Sequence, residues 1–237
     1  MNQSDRLLVI GVDRLDYSKG IPNRVKAFGR FLETNPEWRG KVTFLQITPK
    51  SRGEIRQYDE AGAEVAELVG RINGSFGDTD WTPIRYINCA HARSVLAGIH
   101  RAADVALVTP LRDGMNLVAK EFIAAQDAED PGVLILSEFA GAARQLESAM
   151  IVNPYEVDAV AAALKRALEM SIVERRERHA PMLAHLRLHD IEGWARDYLA
   201  NLVDGGPNAG LLDGIFSFLT GSGATRAGRP LNGHSRP

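Results

Sequence analysis

Short apolar runs alternate with longer amphipathic segments along this chain, and that alternation is the strongest constraint on its fold. Six runs have the length of strands, at residues 7–12, 42–47, 84–87, 105–108, 133–136 and 150–152. Because most of them are continuously apolar, both faces of their sheet should be covered. Segments of helical period separate the runs, which makes each connection a βαβ crossover and the strands parallel. The sequence therefore predicts an α/β fold with a doubly wound parallel sheet.

Helices are predicted between these strands and after the last one. One has Pro22 in its first turn, a position that proline suits. The others cover about 54–70, about 91–102, a segment from Asn116 or Leu117, and two or three stretches within 156–204. We expect residues 1–204 to form one domain. Residues 205–237 contain eight glycines and are expected to be a disordered tail. Its apolar stretch, 211–219, either docks on a partner or membrane surface or is a weakly packed domain end.

Composition narrows the function classes. The formal net charge is −2, so no overall field attracts nucleic acid or an anionic membrane, and any anion site must be local. No run approaches the roughly 20 apolar residues of a membrane span. Cys89 is the single cysteine, which fits a reducing, cytoplasmic setting. His185 and His189 have i, i+4 spacing but no third ligand of suitable spacing, so no metal site is expected.

The loop after the first strand is unusually cationic. Ligands of an open parallel sheet bind beyond the carboxyl ends of its strands, where this loop lies. Arg14 and Lys19 are five residues apart in it, and Gly20 lets the backbone turn. A planar guanidinium and a lysine ammonium can together clamp a diphosphate. The alternative is a solvated loop in which Asp13 and Asp16 pair with the two cations.

Two further loops are predicted at the same edge. Arg52 follows the second strand, where it either binds a second anion or is ordinary surface charge. After the fourth strand, Gly114 permits a positive φ or a close backbone approach, and the helix from Asn116 would aim its dipole at an anion. Asp113 is either a sugar ligand or, like Asn116, a helix cap. Glu121 either binds a ribose diol or is an exposed helix carboxylate.

Taken together, these loops resemble a known enzyme family. Residues 11–22 and 107–121, with Ser51-Arg52-Gly53 and Trp81-Thr82-Pro83-Ile84 in matching order, look like the trehalose-6-phosphate synthases over roughly residues 6–203. The resemblance implies the C-terminal half of a GT-B glycosyltransferase, in which two Rossmann-like domains face each other across a cleft. It also implies retaining transfer of glucose from UDP-glucose to glucose 6-phosphate without a metal or cofactor, giving trehalose 6-phosphate and UDP.

The resemblance also implies roles for individual residues. Arg14 and Lys19 resemble diphosphate ligands, and Arg52 resembles the arginine that reaches the acceptor phosphate. Asp113 resembles the carboxylate that holds donor-glucose hydroxyls, and Glu121 the ribose-binding glutamate. Catalysis is assigned to Arg14, Lys19 and Asp113, with the two cations stabilising the negative charge that develops on the leaving diphosphate. The donor-binding set implied by the resemblance is Arg14, Lys19, Asp113, Gly114, Met115, Asn116, Leu117, Val118, Glu121 and, near the uracil, His91.

The chain opens almost at the first strand of the family's second domain, so we expect it to need a separate or missing N-terminal domain. In the family that domain carries most acceptor contacts, and the final helix packs toward it, here through Ile191, Trp194, Tyr198 and Leu202. The chain alone is expected to bind UDP or UDP-glucose weakly and to transfer little or no glucose. Two alternatives stay open: a non-catalytic UDP-sugar-binding remnant, and the donor half of a glucosylglycerol-phosphate synthase. A homo-oligomer is left open as well.

Overall fold

The computed structural model describes residues 6–49 and 56–204, and describes only the backbone at 56–59 and 203–204. A six-stranded parallel sheet lies at its centre. The strands are β1 (Leu7–Val12), β2 (Val42–Ile47), β3 (Ile84–Ile87), β4 (Val105–Val108), β5 (Val133–Ser137) and β6 (Met150–Val152). The sheet order is β3-β2-β1-β4-β5-β6, and every pairing is parallel. The predicted α/β class, with a Rossmann-like doubly wound sheet, is confirmed.

Seven α-helices are described: α1 (Ile21–Thr34), α2 (Arg56–Phe76), α3 (Arg93–Ala102), α4 (Leu117–Ala125), α5 (Val157–Leu168), α6 (Ile172–Leu188) and α7 (Ile191–Asp204). Two helix boundaries differ from the sequence prediction. Helix α2 continues to Phe76 instead of ending near 70, because Ile72 and Phe76 extend its apolar face into the core. Helix α3 begins at Arg93 instead of His91, because Ala92 has extended backbone angles and forms the cap.

Helices cover the sheet on both faces. On one face α1, α2 and α5 enclose a core that includes Val25, Phe28 and Phe44. On the other face α4 and α6 enclose a second core around Ile10, Phe122 and Met182, with α3 packed against α4. These two cores explain why the strands are apolar at nearly every position, since neither face of the sheet is left to water.

The carboxyl ends of β1 and β4 meet in the middle of the sheet. The two strands are neighbours there, although β2 and β3 lie between them in the chain, so this is the point at which the strand order reverses. The loops after these strands are bonded together, since the amide of Leu111 donates to the carbonyl of Ser18 over 2.7 Å. The loop after β5 joins them, with the amide of Asp113 donating to the carbonyl of Phe139. A crevice of this kind is where parallel α/β sheets bind ligands.

The described chain falls into two compact units, the first ending at Arg187 and the second beginning at Leu188. Helix α7 belongs to the second unit. It starts where the Asp190 carboxylate accepts from the amide of Gly193, and the rings of Trp194 and Tyr198 stack 5.3 Å apart along it.

The predicted tail, 205–237, lies outside the described residues. Among the described helices, none combines the length and apolar character that crossing a bilayer requires.

Candidate functional site

An ion pair joins the two central loops at the carboxyl edge of the sheet. The Lys19 ammonium lies 2.6 Å from the Asp113 carboxylate, and both side chains are mostly shielded from solvent. Lys19 ends a single 3₁₀ turn whose first residue is capped by Asp16, which accepts from the amide and hydroxyl of Ser18 at 2.8 Å. Gly20 follows with φ of +64°, which turns the chain directly into α1. The alternative in which Asp16 pairs with a cation is therefore wrong, because its carboxylate caps the turn.

Asp113 is held in place by several donors. Besides Lys19, it accepts from the amide of Met115 at 3.3 Å and from the side-chain amide of Asn116 at 3.1 Å. Burial raises the pKa of Asp113, but the Lys19 ammonium and these two donors outweigh burial, and the pKa lies below its ordinary value. Asp113 is therefore an ionised, oriented carboxylate at neutral pH, with its charge directed at the lysine.

Asn116 shapes the start of α4. Its backbone is left-handed, with φ of 71°, and its side-chain oxygen accepts from the amide of Ala119 at 3.0 Å. The predicted capping role is confirmed for Asn116 and is wrong for Asp113. The positive φ allowed for Gly114 falls on Asn116 instead, while the Gly114 carbonyl packs closely against Gly141. The amides of Leu117 and Val118 have no partner within the helix, as at any helix start.

Three other residues that were assigned from the sequence, Arg14, Glu121 and His91, are at least partly exposed. Arg14 is exposed, and within the described part of the chain its guanidinium forms no ion pair or hydrogen bond. Glu121 is exposed on α4. His91 is half-buried, with its ring nitrogen 3.6 Å from the Cys89 sulfur. Arg52 lies outside the described residues, so its predicted role stays a prediction.

A buried arginine that the motifs did not indicate lies beneath the same loops. Arg24 of α1 is only 1% exposed, and its guanidinium lies 2.8 Å from the Asp13 carboxylate. It also donates to the Thr109 hydroxyl at 3.1 Å and to the Gln46 side-chain carbonyl at 3.2 Å. One sequence feature could have indicated that Arg24 is buried, since it lies on the apolar helix face that carries Phe28. The prediction that Asp13 pairs with Arg14 or Lys19 is wrong for this reason.

Comparison with known proteins identifies the family. The model of glycosyltransferase family 20 matches residues 2–204. The chain belongs to this family. The trehalose-6-phosphate synthase of Sinorhizobium fredii is 56% identical over 198 residues, which are 84% of this chain and 43% of that protein.

Solved structures of family 20 relatives match the fold closely. An alpha,alpha-trehalose-phosphate synthase (UDP-forming) from Burkholderia xenovorans, in complex with glucose-6-phosphate, is 50% identical and has a TM-score of 0.82. A structure from E. coli bound with UDP-2-fluoro glucose has the same identity and TM-score. Each comparison covers 84% of this chain and 44% of the other. The chain thus spans less than half the length of these relatives, and the predicted resemblance to the trehalose-6-phosphate synthases is confirmed.

In this family 20 chain, the Arg24–Asp13 pair is a strong local constraint. Burial raises the pKa of Asp13, and the guanidinium of Arg24 opposes that rise. Removing one member of a buried ion pair leaves the other uncompensated and costs about 3–5 kcal/mol. Both side chains are buried. The pair is therefore expected to fix the positions of the segments that it joins.

Proposed function

We propose that this chain is the donor-binding half of a retaining glucosyltransferase that moves glucose from UDP-glucose to glucose 6-phosphate. The observation that carries the proposal is the Lys19–Asp113 pair, which lies beside the start of α4 at the carboxyl edge of the sheet. A lysine and a helix N-terminus suit the phosphates of a sugar diphosphate, and a carboxylate can accept hydrogen bonds from the hydroxyls of its sugar. Support comes from relatives that bind UDP-2-fluoro glucose and glucose-6-phosphate.

The donor diphosphate would draw on groups from both central loops. Lys19 would exchange or share its contact with Asp113, and the exposed Arg14 would turn its guanidinium toward the phosphates. The first amides of α4, at Leu117 and Val118, would add a positive helix end. Asp113 would then accept from glucose hydroxyls, and Glu121 would accept from the ribose. The diphosphate would replace the carboxylate as the main partner of the lysine.

The reaction would rest on electrostatic stabilisation rather than on an enzymic nucleophile. As the bond between glucose C1 and the phosphate oxygen breaks, its electron pair moves onto the diphosphate, where Lys19 and Arg14 offset the added charge. The acceptor hydroxyl oxygen would bond to C1 on the same face, and its proton would pass to the leaving phosphate oxygen. That route retains the configuration at C1. Isolation of a covalent glucosyl-enzyme would contradict it.

Activity would need a second domain. The chain spans less than half of its relatives, so the acceptor and the far side of the donor would be bound by an N-terminal half. Arg52, after β2, would reach the acceptor phosphate from this half. We therefore propose UDP-glucose binding by this chain and transfer by the two halves together.

Calorimetric titration of the purified chain with UDP and with UDP-glucose tests the donor site. Arg14→Ala should weaken both ligands roughly tenfold, the size of one lost charge-assisted contact. Asp113→Ala should lower the affinity for UDP-glucose relative to that for UDP, because only the sugar hydroxyls use the carboxylate. Arg101→Ala is the matched control, since Arg101 is an exposed arginine paired with Asp127 on the surface.

The outcomes separate the two main interpretations. Saturable UDP binding that is about tenfold weaker in Arg14→Ala and unchanged in Arg101→Ala supports a working donor half. A folded chain that binds neither ligand would contradict the proposal for this half by itself. Binding without transfer, even after an N-terminal half is added, would favour the non-catalytic remnant.

A further inference from the structure

Arg24 lies under the carboxyl edge of the sheet and touches three different strand ends. Its Nε donates to Thr109, which directly follows β4, and its Nη1 donates to Gln46, near the end of β2. Its Nη2 faces Asp13, which directly follows β1. Gln46, Thr109 and Asp13 are all buried. One planar side chain thus bonds to the three segments that border the crevice.

The same guanidinium also supports the backbone of Lys19. Its Nη2 donates to the Lys19 carbonyl at 3.4 Å, five residues earlier in the chain. Between the two residues lies Gly20, whose left-handed backbone packs so closely on the Thr109 carbonyl that an added Cβ would lie 2.6 Å from it. The direction in which the Lys19 side chain leaves the loop therefore depends on Arg24 and Thr109 together.

We propose that Arg24 is a positioning residue for Lys19: it fixes the 3₁₀ turn so that the ammonium points across the crevice at Asp113 and, when donor is bound, at its diphosphate. The second part of this statement rests on the proposed function. Arg24 is not a catalytic residue, because its guanidinium is buried beneath the loops and contacts protein groups there. It acts through the lysine.

The geometry requires an arginine at this position. Each contact leaves the guanidinium in a different direction, and its rigid fork holds all of them in one plane. A lysine would keep the charge opposite Asp13, but its single ammonium cannot reach the β1, β2 and β4 segments at once. Arg24→Lys is therefore the informative change, since it preserves the ion pair while releasing the loops.

The experiment measures two quantities in the full chain. The first is the pKa of the Asp113 carboxyl, followed by carbon NMR without any ligand. The second is UDP affinity, measured by calorimetry in the unmodified chain, Arg24→Lys, Lys19→Met and the double variant. Arg30→Lys is the matched control, because Arg30 lies on the same helix and its side chain pairs at the surface with Glu33 and Asp158.

Arg24→Lys should raise the pKa of Asp113 toward its value in Lys19→Met, because the ammonium is no longer held beside the carboxylate. UDP affinity should fall roughly fivefold to tenfold. In the Lys19→Met background, Arg24→Lys should have no further effect on UDP affinity. Arg30→Lys should change neither quantity.

Two results would overturn the proposal: an unchanged pKa of Asp113 in folded Arg24→Lys, or an equal loss of UDP affinity with and without Lys19. If Arg24→Lys does not fold, Thr109→Val removes one Arg24 contact at nearly constant shape and must shift the pKa of Asp113 in the same direction. If the unmodified chain binds no UDP, the donor proposal fails, and the ligand-free pKa of Asp113 still decides the role of Arg24.

Discussion

At the scale of single residues, Lys19 already has an anionic partner before any donor arrives. Its 2.6 Å contact with Asp113 must be shared or given up when a diphosphate enters. Under the proposed function, the carboxylate would have opposite effects on the two ligands. It would compete with the diphosphate for the ammonium, and it would offer acceptors to the sugar.

Asp113→Asn separates these two effects. Loss of the negative charge frees Lys19 and removes repulsion of the diphosphate, so UDP affinity should rise severalfold, while the preference for UDP-glucose over UDP should fall. Competitive calorimetry with both ligands measures the two changes. Asp127→Asn, which alters an exposed carboxylate paired with Arg101, is the control. Weaker UDP binding in Asp113→Asn would show that the carboxylate supports the diphosphate site instead of opposing it.

His100 is a buried residue whose titration should affect stability. Its ring is 2% exposed and lies at 6.2 Å from the Phe122 ring, and neither ring nitrogen has a hydrogen-bond partner among the described residues. Burial lowers the pKa of His100, so the unfolded chain takes up the proton more readily than the folded chain. The stability that this neutral ring provides is present above about pH 6.5 and is lost as pH falls through the lower folded-state pKa.

His100→Phe should therefore stabilise the chain, and more so in acid. Phenylalanine keeps the aromatic contact with Phe122 and removes two unsatisfied polar atoms, which should add about 1–3 kcal/mol to the free energy of unfolding. Urea denaturation at pH 7.5 and pH 5.5 measures the gain at each pH. An equal gain at both would show that titration of His100 does not contribute.

At the scale of elements, the strands were predictable and the helix ends were less so. Continuous apolar runs identified all six strands because both sheet faces are covered. Helix ends depend on local caps and on whether the apolar face continues, as Phe76 and Ala92 illustrate. Motifs located Lys19 and Asp113, but their pairing follows from β1 and β4 being neighbours in the sheet, which composition and spacing do not reveal.

The start of α4 offers a test of how one residue fixes an element. Asn116 combines a left-handed backbone with a side-chain cap on Ala119. Asn116→Ala loses the cap and places alanine, which tolerates the left-handed region less well than asparagine, at a φ of 71°, and these two losses together should cost about 2–3 kcal/mol. Asn116→Gly loses the cap without the backbone strain and should cost under about 1 kcal/mol.

Urea denaturation of the two Asn116 variants at neutral pH gives the comparison. Both variants also lose the hydrogen bond from the Asn116 side chain to Asp113, so that contribution cancels in the difference between them. Equal losses of stability in the two variants would show that the left-handed backbone at this position stores no strain.

At the scale of the whole molecule, the carboxyl edge of the sheet is more apolar than a solvent-facing edge needs to be. Several large apolar side chains are exposed in the loops that follow the strands. Met115 and Leu117 lie close to Asp113 in the sequence, and the rings of Phe139 and Tyr155, after β5 and β6, contact each other. Helix α7 carries its own apolar stripe at Ile191, Trp194, Tyr198 and Leu202. Both features suit a chain that spans less than half of its relatives and that, under the proposed function, would work beside a second domain.

Mixing the chain with the separately produced N-terminal half of the Sinorhizobium fredii relative tests this arrangement. We expect trehalose 6-phosphate to form from UDP-glucose and glucose 6-phosphate only when both halves are present, because the second half would supply most of the acceptor contacts. Trp194→Ala should raise the concentration of N-terminal half needed for half-maximal transfer, since it shortens the apolar stripe of α7. Arg196→Ala, on the opposite face of the same helix, should leave it unchanged. UDP binding by the isolated chain should be the same in both variants. If Arg196→Ala raised the required concentration of N-terminal half as much as Trp194→Ala does, the apolar stripe would not be the contact between the halves.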